Sequence, residues 1–183
     1  MKYLTLLILL LFVQGCSPGI ININEEMNQT GGVSGSLATN QTKSDLCDWY
    51  VQTQILRTER ISETSSIDEW LSKYGIVGLD FNNDSAMQEL LPILQEGLPS
   101  QHQFIKEWEV LGPTEGGEAF FENEKKSIEL RIQGFELMIS GINEQNSTDF
   151  YEGMNLFIQS GEYYTISESE LTKVWNDCKE YFE

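Results

Sequence analysis

The chain has 183 residues and carries 11 Lys and Arg against 29 Asp and Glu, a formal net charge of −18. So acidic a molecule repels nucleic-acid phosphates and anionic lipid head groups, which argues against nucleic-acid binding and a polybasic membrane-binding face. One histidine and three cysteines leave few of the side chains from which zinc centres are built.

The chain opens on Lys2 and then Leu4 to Val13, apolar throughout except for Thr5. A positive start, a short apolar run and a small residue at its end are the layout of a secretory signal. The run is too short to cross a bilayer core of ~30 Å, which takes about 20 apolar residues. Val13-Gln14-Gly15-Cys16 resembles the lipobox of bacterial lipoproteins, although Gln14 departs from the small residue usual at its position. The resemblance covers only residues 1–16. It implies a signal peptide over 1–15, cleavage before Cys16 and acylation of that cysteine by a diacylglyceryl group, often with a third chain. Two or more acyl chains give stable membrane attachment where one does not. Ser17 after the cysteine is compatible with sorting to an outer membrane, if the host has one. An ordinary exported protein cut near Gly15 is the alternative.

An odd cysteine in an exported protein needs an explanation. Acylation of Cys16 supplies one and leaves Cys47 and Cys178 to pair in a compartment that permits disulfides. Two buried free thiols are the other reading.

Residues 16–43 are expected to form the acylated cysteine and a flexible tether. Asn, Gln, Gly, Ser and Thr dominate there, aromatic residues are missing, and such a composition buries too little apolar surface to offset ordering entropy. A coil of about 27 residues reaches roughly 30 Å. From Ser44 the composition changes to that of a folded domain over 44–183. A first helix is predicted from Asp45 to about Ser62. Ser66-Ile67-Asp68-Glu69 has the pattern of a capping box and predicts a second, ending at Gly75. Ile76 to Phe81 is a connector. A third helix starts at Asp84 or Ser85, is bent by Pro92 and stops at Gly97-Leu98-Pro99. A fourth covers Ser100 to Leu111 and stops at Gly112-Pro113.

Phe121, Ile128, Ile132, Phe135, Ile139 and Ile142 step by 7, 4, 3, 4 and 3, the stripe of one long helix from about Gly117 to Asn143. Ile128 to Ile132 also alternates as a half-buried strand would, so an α+β fold with a small strand element around 128–133 is the alternative. Gly134 and Gly141 weaken that helix locally or admit a close neighbour. A short helix after Asn146, ending at Ser160-Gly161, and a last one opened by a second capping box at Ser167 to Glu170 complete the domain. The expected class is all-α, a compact bundle of six or seven helices. A Cys47–Cys178 bridge would bring the first and last helices together antiparallel.

Chemistry-bearing patterns are few. Asp80, Asn82 and Asp84 stand at the spacing of the first three ligands of a calcium loop. Ser85 then occupies the place of the required glycine and Leu91 that of the closing glutamate. Asn and Asp before a helix are also ordinary turn and cap residues. His102 lies in a helix beside Phe104, Ile105 and Trp108 without further zinc ligands. No spacing singles out a carboxylate pair among the 29 acids. Adjacent aromatics at Phe120-Phe121, Phe150-Tyr151 and Tyr163-Tyr164 read first as core. Asn-x-Ser/Thr triplets at Asn28, Asn40, Asn83 and Asn146 are incidental in a bacterial lipoprotein.

These features favour an envelope lipoprotein, anchored to the membrane through its lipid, with no cofactor. Its acidic helical domain would bind or position a partner with a basic or apolar surface and catalyse nothing. An envelope hydrolase using an unidentified carboxylate pair is the competing reading. The expected location is the outer membrane where the host has one, and otherwise the outer face of the cytoplasmic membrane.

Overall fold

The structure, a computed structural model, describes residues 37–75 and 80–182, with side chains from Lys43 onward except those of 59–65 and 68. The signal segment, Cys16 and most of the expected tether lie outside the described residues, as do positions 76–79 of the connector. Thr42–Glu183 form a compact unit. The described residues hold four α-helices, α1 (Leu37–Tyr74), α2 (Asp84–Leu111), α3 (Glu118–Glu144) and α4 (Ser147–Cys178), and a short 3-10 helix, Lys179–Tyr181. No strand occurs among them, and none of these helices is long and apolar enough to cross a membrane.

The all-α class and the Cys47–Cys178 disulfide are therefore as expected, while the expected six or seven helices are merged into fewer, longer ones. The strand alternative at 128–133 falls inside α3. α1 begins at Leu37, ahead of the composition change at Ser44. It runs through Ser62 and the Ser66 to Glu69 pattern because its 38 residues contain no Gly or Pro to stop it. A cap is worth only about 1 kcal/mol, less than the continued burial of Trp70. α1 ends at Gly75, whose φ of 52° is left-handed.

α2 passes through Pro92 and Pro99, where a bend and then a stop were expected. Both prolines are exposed, and so are Gln88 and Gln95, whose carbonyls lose their partners. Water can reach those carbonyls, so a helix packed on its other face survives both breaks. α3 matches its expected span to within a residue at each end and closes on Gln145 at φ 55°. α4 starts at Asn146, whose side chain accepts from Thr148 N at 3.0 Å. It continues through Gly161 and the second capping-box pattern to Cys178.

The helices alternate in direction. Trp49 Nε1 donates to Gly112 O (2.8 Å) at one end of α1, and Trp70 Nε1 donates to Ala86 O (2.9 Å) at the other, so α1 and α2 are antiparallel. Trp108 Nε1 donates to Phe121 O at 3.2 Å across the α2–α3 turn. Cys47–Cys178, Tyr50 against Trp175 and Arg57 with Glu168 run in opposite order along α1 and α4. The result is an up-down-up-down bundle of four helices.

α3 and α4 approach backbone to backbone. A Cβ on Gly134 would lie 2.8 Å from Gly153 O, one on Gly153 2.6 Å from Gly134 O, and one on Gly141 2.6 Å from Phe150 N. Ser127 Oγ donates to Ser160 O at 2.8 Å along the same line. These small residues recur every seven positions, Ser127-Gly134-Gly141 on α3 and Gly153-Ser160-Ser167 on α4. Gly134 and Gly141 thus admit a close neighbour.

Two apolar clusters form the core. One holds Trp49, Trp108, Phe120, Phe121, Leu171 and the disulfide. The other holds Trp70, Leu90, Leu94, Phe135, Met138 and Phe150.

Candidate functional site

On α4, polar residues from Ser160 to Glu168 separate the positions that feed the two apolar clusters. Here α1, α3 and α4 bring together Arg57, Glu124, Arg131, Tyr164, Ser167 and Glu168. Arg57 Nε lies 3.4 Å from Glu124 Oε1, and Arg57 Nη2 donates to Glu168 Oε1. Ser167 Oγ donates to the second oxygen of Glu124 at 2.6 Å. The Arg57 guanidinium lies over the rings of Phe120 and Tyr164, 5.6 and 5.4 Å from their centroids. Arg131 Nη2 reaches Ser127 Oγ at 3.4 Å.

The electrostatics follow from this arrangement. Burial alone would lower the Arg57 pKa, but Glu124, Tyr164 and Glu168 outweigh it and hold the guanidinium above its usual range. Arg131 shifts the other way, because burial outweighs the attraction of Glu124 and Tyr164 and Arg57 repels it. Burial pushes the Tyr164 hydroxyl up to about 12, with Glu168 and Glu124 adding to burial and Arg57 opposing it. A buried carboxylate that meets an arginine and a hydroxyl is satisfied at both oxygens. Glu124 is 4% exposed and so bridged, and presents no free oxygen to a substrate. The group works as an internal brace tying three helices.

Sequence reasoning missed this layer, although a signal was present. Glu124 falls on the apolar stripe of α3, three residues after Phe121 and four before Ile128. A charged residue on a buried stripe demands a partner. Its partners, Arg57 and Ser167, are remote in sequence.

The candidates drawn from the sequence are scattered. Cys16 lies outside the described residues. Cys47 and Cys178 are joined and fully buried, with Cα atoms 5.4 Å apart. Asp80 Oδ1 accepts from Asn82 N (3.0 Å) and from Asn82 Nδ2 (2.9 Å), an Asx turn that holds the Asp80 carboxyl below its usual pKa. Asn83 caps α2 through Ala86 N at 3.2 Å, and Asp84 is the first residue of that helix. The calcium spacing is thus used as turn and cap, and no group of three or more His, Cys, Asp or Glu is placed to hold a metal among the described residues. His102 is half-exposed with Nε2 3.4 Å from Glu136.

At the disulfide end, a shallow depression of about 360 Å³ is lined by Lys43, Leu46, Glu115, Gly116 and Asp177. None of these residues belongs to the polar layer. No family model, curated protein or solved structure matches this chain.

Proposed function

We propose that the protein is an envelope lipoprotein, anchored through an acylated Cys16, whose acidic bundle binds or positions a partner and catalyses no reaction of its own. The observation that carries this reading is the state of the carboxylates brought together inside the domain. Glu124 and Glu168 share Arg57, and Glu124 also accepts from Ser167, so the pair is spent on joining helices. A general acid and base must instead reach a substrate within hydrogen-bonding distance. What the bundle offers to other molecules is its outer surface, with a formal charge of −18 for the chain. Removing Lys2 with the signal would make it one unit more negative. Such a surface suits a partner with a basic or apolar face and makes association salt-sensitive. Tethering on lipid would keep the domain at the outer membrane, or at the outer face of the cytoplasmic membrane where there is no outer one.

The test is a pull-down from solubilised envelope at low and high salt, beside assays on peptidoglycan, glycans, esters and peptides. A specific partner released by salt supports the module, and mass spectrometry of the mature N-terminus should find a lipid-modified Cys16. Turnover of any of these substrates that disappears on Glu124→Gln or Glu168→Gln, in a protein that stays folded, would establish the hydrolase reading instead.

A further inference from the structure

At the disulfide end the surface turns aromatic. Trp175 and Phe182 stack with centroids 6.0 Å apart and planes 10° from parallel, and Tyr50 packs against Trp175 at 5.7 Å. Tyr181 stands edge-on to Phe182 at 5.3 Å, and its hydroxyl is 3.3 Å from Ser44 Oγ. Tyr181 is 47% exposed and Phe182 37%, so ring surface is left open to solvent at the end of an ordered stack. Exposed Asp48, Asp177 and Glu180 lie at this end of the bundle beside the cations Lys43 and Lys179, with Lys43 3.9 Å from Glu180. α4 ends here after 32 residues with no basic side chain in its last turn, and Lys179 follows as its C-cap, its backbone N–H bonded to Trp175 O.

Ring faces and carboxylates both attract cations, and together they are complementary to a planar guanidinium or an ammonium on an apolar stem. We infer that this end of the bundle is the docking surface for an Arg- or Lys-bearing segment of a protein partner, whose cationic side chains lie on Tyr181 and Phe182 between Asp177 and Glu180. The inference rests on the binding-module reading and gives it a place and a partner chemistry.

The test uses the full chain in detergent and a labelled Arg–Gly repeat peptide, followed by fluorescence anisotropy at low and high salt. Tyr181→Ala and Phe182→Ala should each weaken binding about threefold to thirtyfold, the range of a cation on an aromatic face. The pair Asp177→Asn with Glu180→Gln should weaken it at least as much. Glu152→Gln with Glu162→Gln removes the same charge from exposed positions of α4 well before its end and should change affinity by no more than about twofold. Phe182 packs on Trp175 and Tyr50 whereas Tyr181 stands edge-on to Phe182, so the Tyr181 variant tests the site even where Phe182→Ala unfolds the end of the chain. Absence of binding at low salt would overturn the inference, as would equal losses in the control pair. Sedimentation showing self-association abolished by Tyr181→Ala would do the same, because the occupant would then be a second copy. A peptide that binds all variants equally removes this site and leaves the module standing. The turnover assays decide the module separately, since Tyr181 is remote from Glu124.

Discussion

The two seams that α4 makes with its neighbours are built on opposite principles. Against α3 it uses small residues, with Gly134 and Gly153 backbone to backbone and Ser127 bonded to Ser160 O. Against α1 it uses large and charged groups: the Cys47–Cys178 bridge, Tyr50 on Trp175 and Arg57 on Glu168. The first seam works by excluding side chains, so it tolerates no added atom. The second works by matching partners, so it tolerates no missing one. A helix held in both ways is fixed in separation by one neighbour and in register by the other.

The comparison breaks most sharply at Arg57. Arg57→Met leaves Glu124 buried without its cation and should cost about 3–5 kcal/mol in urea unfolding. Adding Glu124→Gln should recover much of that loss. A single-variant cost below about 1 kcal/mol would show that the polar layer does not hold α1. Replacing Cys47 and Cys178 together by serine should cost roughly 2–5 kcal/mol, since the bridge closes a loop with a sequence separation of 131. An unchanged unfolding midpoint would contradict this.

On the small-residue seam, Gly153→Ala should cost about 1–3 kcal/mol, because its new Cβ meets Gly134 O and Met138 N. Gly161→Ala, in the same helix, meets nothing within 4 Å and should instead stabilise by about 0.5–1 kcal/mol. Equal effects at the two positions would remove the distinction between the seams.

A further effect is alkaline. Tyr164 rises from 10.0 to about 12 on folding because it is buried. Its contribution is therefore full below pH 10 and is lost as pH rises towards 12, about 1–2 kcal/mol after allowance for its partial exposure. Tyr164→Phe should flatten the stability profile over that window. A wild-type profile already flat there would contradict the burial of the hydroxyl.

Much of the fold was legible in the residues. The stripe from Phe121 to Ile142 placed α3 to within a residue at each end, because more than five turns of consistent spacing outweigh two glycines. Gly75 and the Gly112-Pro113 pair marked real helix ends, since a left-handed φ of 52° or 66° suits glycine. The pairing of Cys47 with Cys178 followed from cysteine arithmetic once Cys16 was set aside.

The breaks at Ser66, Pro99 and Ser167 were decided by tertiary structure. Each is a local signal worth on the order of 1–3 kcal/mol. Each yields when the helix on either side is packed, as at Thr53 and Trp70, Leu94 and Phe104, and Ser160 and Leu171. At Ser167 the hydroxyl that would cap a new helix donates instead to Glu124 across the seam, with Tyr164 O of α4 as the competing acceptor at 2.8 Å. The polar layer was half legible. Glu124 on an apolar stripe announced a buried charge, but the sequence carries no rule joining it to a cation 67 positions before and a hydroxyl 43 positions after. Burial of a charge is a property of one helix face and can be read along it. The identity of its partner is a property of how three helices meet, and only their packing sets it.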